Sequence, residues 1–490
     1  MNGDTTRLDR ALRYACPFLL LIVASNLLNG ILRGPQWMWN EIRLAPGFAL
    51  AYGYHLYPAQ HSLGPIVGTL YTPVGHILYA GLAFLKDPTW ALMAGCALSI
   101  ILYFTPLLWV HLRSGGGRLM GVYGFLACAA IVLASPGTNY SALNIHVDAS
   151  AVATAVMATG IIATARASMS FRALACSAAL GVLSIACKQT MAPVPIALAC
   201  FVLLADGPRT FFRYLLLQLA SALLIGGALL LLFWPPQDLL FSTWWLAIHR
   251  PLVAGVAKVM EAVAEERYTL GAVIPVLVIL IANLMWFQTG RLRSRLQANR
   301  WLAFLLVAVF QAPFALRAWI TAGGDYNHLG VITVFAALAA TVGLTVTTIP
   351  ALVQRMLLVG IIGATLPFPW NLPDAVRRFN QSPATVAFRY EQRHPGRVYF
   401  PMEPLVPLLA RGAPTHLDIS LSERADAGSP ITPEQFASGL PRHYQLIAYP
   451  PSYEMPGSPQ VRRLLRSMRR VHEPGLEGWR VFGPVPDTEH

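Results

Sequence analysis

The run Ala15-Cys16-Pro17-Phe18-Leu19-Leu20-Leu21-Ile22-Val23-Ala24-Ser25-Asn26-Leu27-Leu28-Asn29-Gly30-Ile31-Leu32 decides the fold. At about 1.5 Å per residue it is long enough to cross a bilayer as a helix. Arg7, Arg10 and Arg13 precede it and no A-x-A-like cleavage site follows, so it reads as a retained signal anchor. Just beyond it stands Trp39-Asn40-Glu41, a carboxylate expected at the membrane face. From Ile42 to Tyr79 the chain mixes Tyr, Phe, Pro, Gly and His, with Arg43 its single Asp, Glu, Lys or Arg. Water-facing loops rarely have this composition, whereas aromatic rings suit the headgroup layer.

The rest of the chain agrees. It has 490 residues, of which 55% are hydrophobic and 12% charged, against about 25% charged in soluble domains. A polytopic membrane protein is the class this fits. The net charge of +13 would point to nucleic acid in a soluble protein; here arginines in short loops fix topology, and no nucleic-acid partner is expected. Lys86, Lys188 and Lys258 are the only lysines, a bias we read as genome composition. Cys16, Cys96, Cys128, Cys176, Cys187 and Cys200 lie in or beside apolar runs without metal or redox spacing, as small hydrophobes.

Eleven apolar runs qualify as spans: roughly 15–32, 89–111, 119–134, 148–165, 173–187, 190–205, 214–234, 269–288, 301–320, 329–348 and 351–367. Tyr71 to Leu85 is ambiguous. Counting it as a span would flip every later loop and move Arg113, Arg118, Arg166, Arg172, Arg209, Arg213, Arg291, Arg293, Arg295, Arg300 and Arg355 away from the side of the N-terminus. The positive-inside rule opposes that. Residues 33–88 are therefore predicted to be one outer loop of juxtamembrane helices. Residues 1–370 form the transmembrane domain, with the N-terminus cytoplasmic.

Residues 371–490 then fall on the outer side, and they are a different kind of polymer. Charges are mixed, Pro and Gly are frequent, and Arg397–Phe400, Gln445–Tyr449 and Trp479–Phe482 read as strands, with Val461 to Arg470 at helical spacing. A small extracytoplasmic α/β domain is expected. The fold class is thus mostly α, a transmembrane helical bundle with that domain appended. No internal repeat is visible, which disfavours transporter folds built from repeated halves.

Ionisable residues near span ends are the chemical signal, because such groups cost about 2.5–3.5 kcal/mol within a span. Glu41 reads either as a general base or as a solvated partner of Arg43. Asp148, in Asn144-Ile145-His146-Val147-Asp148-Ala149, reads either as a site carboxylate or as a helix-start cap. Lys188 either snorkels or meets a lipid phosphate. Arg317 with Gly323-Gly324-Asp325-Tyr326-Asn327-His328 is either a hydroxyl-binding loop or an ordinary polar turn. His55, His61 and His76 share the first loop without metal-site spacing and are expected to be hydrogen-bonding interfacial residues. No phosphate-cradling Gly loop or serine-nucleophile elbow appears.

The order of these pieces resembles a family. A short start, one span, an outer loop with a carboxylate, and the tract Leu56-Tyr57 … Gly64-Pro65 … Tyr71-Thr72-Pro73-Val74-Gly75-His76-Ile77-Leu78-Tyr79 look like the multi-spanning glycosyltransferases of the GT-C superfamily, which use polyprenyl-phosphate-linked sugars. The resemblance is to the bacterial branch related to protein mannosyltransferases and lipid A aminoarabinose transferases. Asn144–Ala149, Cys187-Lys188-Gln189-Thr190 and Gly324–His328 add to it. One departure is Asn40-Glu41, where many members carry an adjacent acidic pair or a lone Asp.

The resemblance implies a transferase moving a hexosyl or pentosyl group from a polyprenyl-phosphate donor to a glycan, lipid or protein acceptor at the outer face of the cytoplasmic membrane. Glu41 would be the base and Asp148 its support; Lys188 would meet the donor phosphate. Asp325, Asn327, His328, Arg317, Tyr71 and His146 would contact substrate. A single base predicts inversion at the sugar carbon. No cofactor or metal site is called for; a divalent cation stays open, with Glu41, Asp148 and Asp325 as its conceivable ligands. The competing reading is a transporter or flippase for a lipid-linked or small substrate, which predicts ionisable groups in mid-span.

Overall fold

A computed structural model describes residues 2–115, 117–165, 169–253, 256–287, 291–451, 453 and 457–484. Among them, eight helices are long and apolar enough to cross a membrane: Asp9–Gln36, Pro88–Arg113, Gly117–Ala134, Gln189–Asp206, Pro208–Leu232, Arg267–Trp286, Leu302–Trp319 and Asn327–Val346. A ninth span is made if Pro136–Ala142 and Val147–Ala163, bent by 102° at their junction, count as one. The protein is therefore an integral membrane protein.

Every apolar run of the sequence is helical, but the count of eleven spans is not met. Phe171–Cys187 and Ala351–Thr365 have 17 and 15 residues, or roughly 22–26 Å, short of the ~30 Å hydrocarbon layer. Tyr71 to Leu85 holds only the seven-residue helix Val74–Ala80, far too short to cross.

The chain divides into two compact units. The first comprises Met1–Gly30, Ser99–Ala228 and Val253–Leu372. It is a helical bundle in which Val147–Ala163 packs on Phe171–Cys187, and Leu302–Trp319 on Asn327–Val346. Small residues permit close approach. A Cβ on Gly137 would sit 2.5 Å from the Tyr326 carbonyl, and one on Gly330 would sit 2.6 Å from the Gly137 carbonyl. Helices in membranes associate through such contacts, since lipid is as apolar as leucine. The short helix Pro136–Ala142 starts at Ser135, whose hydroxyl accepts the Thr138 N–H (3.3 Å).

The second unit comprises Ile31–Leu98, Leu229–Leu252 and Pro373–His490. The C-terminal stretch holds a four-stranded sheet in the order β1 (Val398–Tyr399), β2 (Leu446–Tyr449), β4 (Arg480–Pro484), β3 (Met468–Val471). β1 and β2 are parallel, with Val398 opposite Leu446; β4 runs antiparallel to both β2 and β3, with Val481 opposite Ala448 and Val471. β2 is buried along its whole length, as a central strand should be. The three strand-like runs of the sequence are strands. Val461 to Arg470 is only half helix: Pro459–Arg466 is helical and Met468–Val471 is the edge strand.

The core of this unit draws on the 33–88 loop as well as on the C-terminal region. Ile42 and Ile66 are buried in one cluster with Tyr399, Met402, Leu417, Leu421, Ile447, Tyr449 and Val461. The Leu417 N–H donates to the Ile66 carbonyl (3.0 Å). Each large apolar side chain buried this way contributes about 1.5–3 kcal/mol. The first loop and the C-terminal region therefore fold as one body.

Candidate active site

Two buried polar clusters emerge, one in each unit. The first is centred on Asp148. Helix Val147–Ala163 follows the sharp bend, so Asp148 lies in its first turn. His146 is the N-cap, its Nδ1 accepting the Asp148 N–H at 3.1 Å and lying 3.1 Å from Oδ2. Asp148 is thus not the cap itself. Lys188 leaves helix Phe171–Cys187 in extended conformation and places its Nζ 2.5 Å from Asp148 Oδ1. Ser141 Oγ (3.0 Å) and Asn327 Nδ2 (2.8 Å) donate to Oδ2.

Asp148 and Lys188 are both 0% exposed, His146 is 1% and Asn327 is 3%. Lys188 does not snorkel. Among the sequence-derived candidates the structure brings together Asp148, Lys188, His146 and Asn327. Three separate helices contribute, and an unpaired charge at this depth would cost several kcal/mol.

Glu266 joins the same unit without having been singled out in the sequence. It is 5% exposed, and its Oε1 accepts from Ser135 Oγ (2.7 Å) and the Gly137 N–H (3.2 Å). Burial raises its pKa above the ordinary value. Glu266 thus anchors the start of Pro136–Ala142, while Ser141 at the other end holds Asp148.

Three candidates in this unit stand outside the cluster. Asp325 is half-buried and its Oδ1 accepts the Tyr326 N–H (2.7 Å). His328, also half-buried, occupies the first turn of Asn327–Val346. Arg317 is exposed at the end of Leu302–Trp319 and makes no ion pair among the described residues.

The second cluster surrounds Glu41. This residue is 1% exposed in helix Met38–Ala51, so it is not a solvated partner of Arg43. The Arg43 guanidinium instead lies over the rings of Trp37 (5.0 Å) and Trp39 (5.8 Å). Glu41 Oε1 accepts the Leu405 N–H (3.0 Å). Its other neighbour is Glu403, also 1% exposed, with which it shares a hydrogen bond.

Burial pushes the Glu41 carboxyl up to about 7, against hydrogen bonds from Glu403, Leu405 and Val406 that lower it. Burial, then the Glu41 charge, holds Glu403 well above the usual carboxylate range. Two carboxyls this close cannot both ionise, so Glu403 keeps a proton and donates it to Glu41. The acidic neighbour missing at Asn40 is present in space. Its sequence signal is Pro401-Met402-Glu403-Pro404, an acid set between prolines in an apolar run.

Asn40 is buried instead, donating to the Gly34 carbonyl (2.9 Å). Tyr71, half-buried, accepts the Tyr57 hydroxyl at its carbonyl (2.7 Å). His76 is a core residue rather than an interfacial one: it is 2% exposed, 2.9 Å from Thr69 Oγ1, and burial lowers its pKa to about 4. Lys86 Nζ donates to the Tyr52 hydroxyl (2.8 Å) at a groove of about 340 Å³ lined also by Ala51, Ala80, Ala83 and Phe84.

These donor sets do not fit a divalent cation. Asp148 is occupied by Lys188, Ser141 and Asn327, Glu41 by Leu405 and Glu403, and Asp325 by its own turn. Among the described residues no three His, Cys, Asp or Glu side chains converge as ligands.

A broken span, a polar cluster at its bend and a small sheet packed with the first loop define the fold class, a polytopic membrane protein with the fold of the solved ArnT structures. Solved structures carry that assignment. The crystal structure of ArnT from Cupriavidus metallidurans bound to undecaprenyl phosphate matches with a TM-score of 0.61 at 13% identity, over 96% of this chain and 99% of that one. The apo ArnT structure from Cupriavidus metallidurans matches with a TM-score of 0.60 at 12% identity, over 96% and 98%. No protein-family profile matches the chain, and no curated protein matches it.

Proposed function

We propose that this protein is a membrane glycosyltransferase that moves a sugar from a polyprenyl-phosphate donor to an acceptor hydroxyl. The observation that carries the reading is the full-length likeness to ArnT, one of whose structures binds undecaprenyl phosphate. The buried polar clusters support it, because buried ionisable groups are costly and gather at functional sites.

In this reading Glu41 is the general base. A carboxyl at about 7 is well matched to proton transfer near neutral pH. The acceptor oxygen attacks the anomeric carbon while Glu41 takes its proton, and the bond to the polyprenyl phosphate breaks. Retaining enzymes hold two carboxyls about 5–5.5 Å apart across the scissile bond. Glu41 and Glu403 are in direct hydrogen-bond contact, which suits a single base with a protonated neighbour, and hence inversion.

Asp148 and Lys188 act as a closed ion pair that sets the bend, with His146 and Asn327 positioned by it. Because Asp148 takes up the Lys188 charge, the donor phosphate is assigned to the exposed Arg317. Asp325, His328 and Tyr71 are assigned to substrate hydroxyls. With the bent pair counted as one span the described residues hold nine, and in this reading an N-terminus kept in the cytoplasm by arginine-bearing loops leaves 371–490 outside the cytoplasmic membrane.

The test is transfer from labelled polyprenyl-phosphate sugars in membranes. Glu41→Gln is expected to lower kcat by about 10²–10⁴, with the protein still in the membrane at wild-type abundance. Full activity of that variant removes Glu41 from the mechanism. Absence of transfer by the wild type to glycan, lipid and protein acceptors alike sinks the reading and favours a transporter.

A further inference from the structure

The second unit carries a face that the proposed reaction does not use. Arg462, Arg463, Arg466, Arg469 and Arg470 fall within nine residues, and all five are exposed. Helix Pro459–Arg466 turns Val461, Leu464 and Leu465 toward the core, with Val461 fully buried. At 100° per residue the three helical arginines then share the opposite side. Arg469 and Arg470 follow on β3, the edge strand, whose strand neighbour among the described residues is β4; the two point to opposite sides of the sheet, and both are exposed next to the helix.

None of the five makes an ion pair among the described residues. Arg462 feels the charge of Asp418, but both Asp418 oxygens already accept backbone N–H groups, from Gly457 and Ser458 (3.0 Å each). A helix C-terminus favours one or two cations, and an edge strand is blunted by a charge. Neither effect asks for five exposed guanidiniums within nine residues.

We propose that this exposed arginine cluster docks on a surface of anionic, phosphate-bearing lipid headgroups. Guanidinium forks match phosphate oxygens in pairs. Basic clusters beside membrane segments are drawn to such surfaces within a Debye length. The same unit contains Ile31–Leu98, which carries the end of span Asp9–Gln36 and the start of span Pro88–Arg113. The arginines are thus tethered by their own unit to segments that enter a bilayer.

Arginine footprinting of the full-length protein in lipid nanodiscs tests this. Phenylglyoxal modification of 462–470 is followed by peptide mass spectrometry in phosphatidylcholine discs and in discs containing phosphatidylglycerol. Arg393, exposed at the end of Pro383–Arg393, serves as reference. Modification of the five arginines is expected to slow at least about fivefold with phosphatidylglycerol and to recover in about 0.5 M salt. Equal rates in the two kinds of disc, or equal slowing at Arg393, overturn the proposal. Protection by soluble polyphosphate but not by phosphatidylglycerol overturns it in favour of a soluble polyanion. Transferase activity is not part of the readout, so the outcome is independent of the proposed function.

Discussion

The Asp148 cluster and the Glu41 cluster bury the same chemical group equally completely and solve its electrostatics in opposite ways. Asp148 is met by a cation, Lys188 at 2.5 Å. Glu41 is met by another acid, Glu403, and the pair is kept tolerable by a proton. An ion pair is closed: it needs nothing from solvent, and it breaks only if a partner is removed. An acid dyad is open to pH. In the proposed reading the comparison separates a group held for architecture from one poised to exchange a proton.

Breaking the ion pair should have the largest effect. Lys188→Met leaves a carboxylate buried without its cation, and a loss of roughly 3–5 kcal/mol is expected. Thermal unfolding in detergent measures it. Adding Asp148→Leu to the same protein should recover much of the loss. A single variant as stable as wild type would show that the pair is not closed.

The dyad should instead show itself through pH. Its folded pKa is raised, from 4.5 to about 7 for Glu41. The protonated form is therefore favoured by folding. Its contribution is fully present below about 4.5 and is lost as pH rises through about 7. A change on the order of 2–3 kcal/mol is expected over that window. Glu41→Gln removes the group that burial holds up near 7 and should flatten the profile. Melting curves between pH 4.5 and 8 that superimpose for wild type and variant would dissolve the contrast between the clusters.

A smaller effect probes how finely Asp148 is held. Asn327→Ala deletes one donor to Oδ2 and should cost about 1–3 kcal/mol, without the pH dependence expected of the Glu41–Glu403 dyad. Denaturation monitored at pH 5 and pH 8 distinguishes the two. A pH-dependent loss in Asn327→Ala would mean that the Asp148 cluster also trades protons.

The helices were legible because hydrophobic runs leave little freedom: every run named in the sequence is a helix. Where the reading stopped short, the missing information was long-range. Glu403 is far from Glu41 in the chain, and no local period ties them. Burial of 33–88 was hidden for the same reason, since Ile42 and Ile66 meet a core supplied by Tyr399, Leu417 and Ile447. An aromatic, Pro- and Gly-rich tract looks alike whether it lies on lipid or against a protein core. Lys188 could be placed near Asp148 only as one of several outward residues; that it turns inward follows from its extended backbone between two helices. Glu266 escaped notice because Ser135 and Gly137, which donate to it, sit at a helix start far from it in the chain.

The glycine pair Gly137 and Gly330 works as a ruler whose length is one hydrogen atom. The chain segment carrying Ser141 and the helix carrying Asn327 touch backbone to backbone there, and both residues reach the same Asp148 oxygen. A methyl group at either glycine would wedge the two apart while leaving every polar residue in place. The spacing of the polar cluster is thus written in positions that carry no functional group at all. Calibrated wedges, Ala and then Ser or Val at 137 or 330, would vary the reach of Asn327 in small steps without altering its chemistry.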